Sequence, residues 1–186
     1  SNCEFEVFML INNGGVGGTK RFEDADVPYL ENIINLNVRC TALLIHELLP
    51  NLKRQSKSYI LNVGSMAALT PTGYKTVYPA SKSFVYSFSL GLREELKKTS
   101  ISVSVALPGA MATNPDVVER IARQGFFGKA TLKSTQSVAQ KCVRQTLRGK
   151  RKIVINPLSQ FLSAIVPERC RTRMLSKIVR REICGW

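Results

Sequence analysis

The stretch SYILNVGS, residues 58–65, is a run of aromatic, aliphatic and β-branched residues that ends in a glycine and a serine. A run of this kind, bounded by turn residues, predicts a short β-strand. Residues 7–11 (VFMLI) and 101–106 (ISVSVA) have the same character and precede the turn residues NNGG and PG. Residues 153–155 (IVI) predict one further strand.

Helical patterns separate these strands, over about residues 28–52 and 79–98. Strands that alternate with helices predict right-handed crossovers and a parallel sheet, so the expected fold class is α/β. Because parallel strands end at the same edge of a sheet, Asn12, Ser65 and Pro108 are expected along one carboxyl edge. Open α/β sheets bind their ligands at that edge.

Residues 78–82 read YPASK and open the second predicted helix. Residues i and i+4 share a helix face, so the phenol of Tyr78 and the ammonium of Lys82 are expected side by side. A phenol with an ordinary pKa of about 10 is a poor acid–base catalyst at neutral pH, and a nearby cation favours its phenolate. The pair therefore predicts proton exchange with a carbonyl or hydroxyl oxygen. A bare Tyr-x-x-x-Lys alone is more often an ordinary aromatic beside a solvated lysine.

Five motifs in register make the chain resemble the short-chain dehydrogenase/reductase family, over about residues 7–113. They are Asn12-Asn13-Gly14-Gly15, Asn37, Gly64-Ser65, Tyr78-x-x-x-Lys82 and Pro108-Gly109-x-x-x-Thr113. The resemblance implies a Rossmann-like, doubly wound parallel sheet. It also implies NAD(P)-dependent interconversion of a ketone and a secondary alcohol, in which the cofactor carries the hydride and the protein supplies a proton. Of the two cofactors, NADP is the one expected.

The resemblance also implies a role for each motif. Tyr78 is the expected acid–base catalyst, Lys82 assists it and holds the cofactor ribose, and Ser65 orients the substrate oxygen. Asn37 is expected to hold a water that links Lys82 to solvent. The expected cofactor-binding residues are Asn12, Gly14, Tyr78, Lys82, Pro108, Gly109 and Thr113. Gly14 stands where the family usually has alanine, which makes the turn looser.

The sequence lacks the strand and Gly-rich turn with which members of this family begin. Residues 14–20 (GGVGGTK) fit neither G-x-G-x-x-G nor G-x-x-x-x-G-K-[ST], because Thr19 occupies the place of the second glycine of the latter. We therefore expect an N-terminally incomplete fold that opens at the fourth strand, with about 60–90 residues missing. A catalytically inactive binding or scaffold protein derived from the same family is the alternative.

Composition predicts a globular domain with a basic tail. The 186 residues are 44% hydrophobic and carry a net charge of +14. Residues 1–156 are expected to form the Rossmann-type catalytic domain, and residues 157–186 a basic amphipathic helical tail. The chain has no run long enough to cross a membrane, and its five cysteines are odd in number without metal-ligand spacing. Reduced thiols, no metal and a cytoplasmic location are therefore expected.

The tail has several open alternatives. It can lie on an anionic membrane surface, or it can pack its apolar side on the domain or on a second subunit. Its positive charge would also suit a phosphorylated or CoA-bearing substrate. Nucleic acid is not expected as a partner, because no recognised binding motif accompanies the charge. By resemblance, a homodimer or homotetramer pairs helices 28–52 and 79–98, and the small residues Ser83, Ser87 and Gly91 would allow a close approach.

The expected substrate is an apolar ketone or alcohol, such as an acyl chain or a steroid-like molecule. Residues 113–129 occupy the position of the family's variable substrate lid. The apolar residues expected near the substrate are Met66, Leu69, Tyr74, Met111, Phe126 and Phe127. The two phenylalanines are equally well explained as hinge or core anchors.

Overall fold

The computed structural model describes residues 5–109, 134–157 and 165–184. Within these ranges, one parallel sheet contains β1 (Met9–Asn12), β2 (Ser58–Val63), β3 (Ile101–Leu107) and β4 (Lys152–Val154), in that spatial order. The predicted α/β fold with a parallel sheet is confirmed. β1 begins two residues later than predicted, because the N–H of Val7 donates to Asn51 Oδ1 instead of joining the ladder.

Five α-helices lie within the described residues: α1 (Val27–Ile34), α2 (Cys40–Arg54), α3 (Val77–Glu95), α4 (Thr135–Leu147) and α5 (Glu168–Cys184). A π-helical segment, Asn35–Arg39, joins α1 to α2, so the helix predicted over 28–52 is continuous but has a widened turn in its middle. The sequence pattern does not indicate α4, because only Val138 and Cys142 of its buried positions are apolar.

Helices cover both faces of the sheet, as a doubly wound fold requires. One apolar cluster joins Ile60 of β2 and Val103 of β3 to Ile45 of α2. On the opposite face, Leu61 of β2 packs in a cluster with Val138 of α4. Burial on both faces explains the nearly continuous apolar run of β2, whereas β3 alternates Ser102 and Ser104 with apolar residues.

A buried polar chain fixes the end of β1 against β2 and α3. Asn12 Nδ2 donates to Asn62 Oδ1 (2.8 Å), and Asn62 Nδ2 donates to Ser89 Oγ (2.9 Å). All three side chains are buried, and Asn12 and Asn62 are partners in the strand register. An unpaired buried amide costs about 1–3 kcal/mol, so this chain disfavours other registers at the carboxyl edge.

The C-terminal part is described from Ile165, and α5 begins directly after Pro167. No described helix has the length and apolar character needed to cross a bilayer. The predicted lid at 113–129 lies outside the described residues, together with Thr113, Met111, Phe126 and Phe127. The division of the chain at residue 156 stays a prediction.

Candidate functional site

The first turns of α3 place Tyr78 and Lys82 together at the carboxyl edge of the sheet. The Lys82 Nζ atom lies 6.0 Å from the centroid of the Tyr78 ring. The same ammonium donates to the carbonyl oxygen of Val63, the last residue of β2, at 3.1 Å. This geometry is the one that the i and i+4 spacing predicts.

Lys82 is a buried cation. The whole residue is only 6% exposed. This desolvation lowers the pKa of the ammonium below its ordinary value of 10.5. Within the described residues, no carboxylate lies at salt-bridge distance from Nζ. Since an ammonium has three N–H donors and Val63 accepts one, donors remain for a hydroxyl-bearing ligand or an anion.

Asn37 lies at the centre of the π-helical segment and is fully buried. Its Oδ1 accepts from the N–H of Val16 (2.9 Å), while its Nδ2 donates to the Val16 carbonyl (2.9 Å) and to Ser81 Oγ (2.8 Å). Ser81 Oγ donates in turn to the Tyr78 carbonyl at 2.8 Å. The amide therefore ties the loop after β1 to the first turn of α3. The water expected between Asn37 and Lys82 stays a prediction.

Residues 13–20, called the glycine loop below, lie directly against Tyr78 and Lys82. A Cβ added at Gly15 would lie 3.0 Å from Lys82 Nζ and 3.2 Å from Asn37 Oδ1, and one added at Gly17 would lie 3.2 Å from Tyr78 Cδ2. A Cβ at Gly14 would make an ordinary 3.7 Å contact with Leu36, so alanine fits there. Two of these glycines thus permit a close approach of backbone to the candidate catalytic side chains.

Ser65 caps a short 3₁₀-helix, Met66–Leu69, by accepting from the N–H of Ala67 at 3.1 Å. That helix is held on both sides. Met66 N–H donates to the carbonyl of Pro108 after β3 (2.9 Å), and Ser83 Oγ of α3 donates to the carbonyl of Ala68 (2.7 Å). Ser65 therefore stands between the end of β3 and α3, and its hydroxyl hydrogen is left to donate to an acceptor such as a substrate oxygen.

The other described residues predicted to bind the cofactor are Asn12, Pro108 and Gly109. Asn12 turns its side chain into the buried chain with Asn62. Pro108 is buried after β3 and Gly109 is half-buried beside it, and no described atom lies within 4 Å of a Cβ built on Gly109. The cofactor-binding roles of these residues and of Gly14 stay predictions.

Sequence reasoning missed two parts of the site. Ser81 bridges Asn37 and Tyr78, and its position three residues after Tyr78 on one helix face was an available signal. The other is the backbone of Val16, which pairs with Asn37 through its N–H and carbonyl. A backbone contact of this kind leaves no residue-type signal in one sequence.

A family model described as short chain dehydrogenase matches residues 5–125, well over half of the chain. The chain belongs to the short-chain dehydrogenase family. It is 34% identical over 119 residues to a very-long-chain 3-oxoacyl-CoA reductase of Anas platyrhynchos, covering 62% of this chain and 38% of that one. It is 26% identical over 161 residues to a ketoacyl reductase of Nostoc sp., covering 85% and 55%.

Solved structures of other dehydrogenases and reductases have the same fold. A 7β-hydroxysteroid dehydrogenase superimposes with a TM-score of 0.74 at 18% identity, covering 90% of this chain and 66% of that one. A 3-oxoacyl-[acyl-carrier protein] reductase of Brucella melitensis with bound NAD gives a TM-score of 0.69 at 22% identity, covering 82% and 62%. The chain spans about half the length of the curated relatives it matches.

Burial of Lys82 predicts a stability that changes with pH. Because the folded-state pKa is lowered, the unfolded chain binds the proton more tightly, so the cost of burying Lys82 is present at neutral pH and fades as pH rises toward 10.5. We expect Lys82→Met to raise the free energy of unfolding by about 1 kcal/mol near neutral pH. Urea unfolding midpoints measured across this pH range should show that the difference between Lys82→Met and wild type becomes smaller as pH rises. The exposed Lys98→Met variant is the control. A gap that widens with pH contradicts the argument.

Proposed function

We propose that this chain carries the catalytic residues of an NAD(P)-dependent reductase that interconverts a ketone and a secondary alcohol. One observation supports this most strongly. In a chain of the short-chain dehydrogenase family, Tyr78 is tied to Asn37 through Ser81 at the carboxyl edge. The buried cation Lys82 lies beside the Tyr78 ring and donates to Val63 at the same edge. A binding protein without turnover has no need of a desolvated lysine beside a phenol, which disfavours the scaffold alternative.

Reduction of a ketone builds negative charge on its oxygen, and the site offers donors to meet that charge. Ser65 and Tyr78 each carry a hydroxyl that can donate to the oxygen, and Tyr78 then passes its proton to the forming alkoxide. Lys82 beside the ring stabilises the phenolate that remains. The oxidation direction reverses these proton movements.

The residues present fit the nicotinamide and ribose end of a cofactor, which supplies the hydride when bound. Val63 accepts only one of the three N–H donors of Lys82, so the ammonium keeps donors for a ribose hydroxyl. Tyr78 and Lys82 would hold the ribose, and Gly14, Pro108, Gly109 and Thr113 would flank the rest. No G-x-G-x-x-G turn occurs in the described residues. NADP is the cofactor we propose.

An apolar substrate, either an acyl chain or a steroid-like ketone, is the class we propose. Met66 and Leu69 lie half-buried on the 3₁₀-helix that Ser65 caps, so apolar side chains follow the donor to the substrate oxygen. Tyr74 lies on the same connection, with a positive φ of 63° that fixes an unusual backbone turn before Tyr78. The 3-oxoacyl-CoA and ketoacyl reductases among the relatives act on chains of this class by their names.

The proposal is tested by titrating NADPH and NADH into the protein and then assaying ketones of graded polarity. We expect NADPH to bind more tightly than NADH. We also expect a 3-oxoacyl thioester or a ketosteroid to be reduced, and a ketose sugar not to be. Cofactor binding with no turnover of any ketone would favour the scaffold alternative.

We also propose a homodimer through the long helices. Ile34 of α1 and Leu43 and Leu44 of α2 are 47%, 43% and 49% exposed, so these helices present large apolar side chains at the surface. Gly91 of α3 is exposed with open space around it, whereas Ser83 bonds to Ala68 within its own chain and is therefore not free for an interface.

The dimer is tested by Leu43→Glu with Leu44→Glu, which places two charges on this face. We expect sedimentation velocity to show a dimer for wild type and a monomer for the double variant. Leu147→Glu on α4, equally exposed at 43%, is the control and should leave the dimer intact. A monomeric wild type, or an unchanged dimer in the double variant, refutes this interface.

A further inference from the structure

Helix α5 is tied by its inner face to both loops that flank Tyr78. The N–H of Gly73, on the connection that leads to Tyr78, donates to Ser176 Oγ at 2.8 Å. Thr19 Oγ1, in the glycine loop, donates to Glu182 Oε2 at 3.3 Å. Val179 on the same side is 7% exposed, so the helix is anchored by apolar contact as well.

The outer face of α5 is strongly basic. Its exposed cations are Arg169, Arg173, Lys177, Arg180 and Arg181. At about 100° per residue these positions fall within roughly a third of the helix circumference and span about 18 Å along the axis. The two carboxylates of α5, Glu168 and Glu182, fall outside this arc at the same spacing, and Glu182 accepts from Thr19.

Apolar groups are exposed beside these cations. Met174 is 54% exposed and borders the basic face, and Cys170 is exposed within it. Ile165, just before the helix, is 61% exposed. Cations beside accessible apolar side chains can meet anionic headgroups and the acyl boundary at the same time.

We propose that the outer face of α5 binds an anionic phospholipid surface and holds the Tyr78 site next to it. A planar layer of phosphate headgroups can neutralise cations spread along 18 Å simultaneously, and the exposed methionine can enter the acyl boundary. A nucleic acid would gain little from the exposed apolar groups. Among the described residues, this face also presents no aromatic or amide side chain to read bases.

The usefulness of membrane binding rests on the proposed apolar substrate. The vesicle test of membrane binding does not depend on that substrate. A helix is about 10 Å across, so lipid on the outer face of α5 would lie roughly one helix diameter from Gly73 and Thr19. An apolar ketone dissolved in that lipid would then reach the loops around Tyr78 without crossing bulk water. The basic face would thus determine how the site obtains its substrate.

The test is co-sedimentation with phosphatidylcholine vesicles, with and without phosphatidylserine, at low and high salt. Each Lys or Arg near an anionic surface contributes about a fivefold gain in affinity. The triple variant Arg173→Gln, Lys177→Gln, Arg181→Gln should therefore bind phosphatidylserine vesicles about a hundredfold more weakly. The matched control, Lys53→Gln, Arg54→Gln, Lys98→Gln, removes the same charge from exposed positions outside α5 and should bind within about twofold of wild type.

Each outcome decides the proposal. A loss confined to the α5 variant, with binding that needs phosphatidylserine and weakens in salt, supports it. Equal losses in both triple variants, equal binding to neutral vesicles, or no binding of wild type overturns it. Vesicle binding requires neither cofactor nor turnover, so a failed reductase assay leaves this result interpretable, and failed vesicle binding leaves the reductase proposal standing.

Discussion

Tyr78→Phe is expected to lower kcat for ketone reduction by about a thousandfold, because it removes the hydroxyl that donates the proton. The ring itself should stay in place. Its contacts with the Gly17 backbone and its position beside Lys82 Nζ involve ring carbons and do not require the phenol oxygen. The Kd for NADPH should therefore change by no more than a few-fold. Steady-state kinetics and a fluorescence titration, made on a preparation that reduces a ketone, check the two expectations separately.

Tyr86→Phe is the matched control for this substitution. Tyr86 is on the same helix and also has a lysine at its ring, with Lys152 Nζ 5.3 Å from the centroid. It makes no contact with the glycine loop in the described structure. Its loss of a hydroxyl should leave kcat within about twofold of wild type. Full activity in Tyr78→Phe, or an equal loss in Tyr86→Phe, would refute Tyr78 as the acid–base catalyst.

Asn37→Ala is expected to lower both stability and activity. The side chain makes hydrogen bonds to the N–H and carbonyl of Val16 and to Ser81 Oγ, all from a fully buried position. Removing it leaves these partners unsatisfied, which costs about 2–4 kcal/mol in the free energy of unfolding. Activity of the folded protein should fall about a hundredfold, because the glycine loop is no longer held against Tyr78 and Lys82. Urea unfolding and kinetics on the same samples measure both losses.

Asn51→Ala is the matched control that separates the loss of stability from the loss of activity. Asn51 is also a buried amide, 4% exposed, that accepts from the N–H of Val7 (3.0 Å) and donates to the carbonyl of Phe5 (2.9 Å). Its removal should cost comparable stability, yet the folded fraction should keep nearly full activity, since these contacts lie away from Tyr78. If Asn51→Ala loses as much activity per folded molecule as Asn37→Ala, the role assigned to the Asn37 contacts is wrong.

Much of the fold follows from residue patterns. The apolar run over Ser58–Val63 coincides with β2 as observed, because a strand buried on both faces has an unambiguous composition. The parallel sheet follows from the alternation of strands and helices. The juxtaposition of Tyr78 and Lys82 follows from helix geometry alone.

The rest depends on contacts between elements distant in the chain. The π-helical turn contains Asn37, whose side chain pairs with the backbone of Val16, 21 residues away. A single sequence does not record that pairing. Gly15 and Gly17 look like ordinary turn residues until Lys82 and Tyr78 are seen against their backbone. The docking of α5 through Gly73 and Ser176 joins positions 103 residues apart. Local propensity carries no information about such contacts.

The most direct test of the central claim is transfer of deuterium from NADPH labelled at the nicotinamide C4 position to an apolar ketone, followed by mass spectrometry of the alcohol. We predict deuterium on the carbinol carbon with wild type, and a rate lowered by about a thousandfold with Tyr78→Phe. Deuterium transfer at equal rates with both proteins, or none with wild type under conditions where NADPH is bound, would contradict the assignment of this site as a ketone reductase centre.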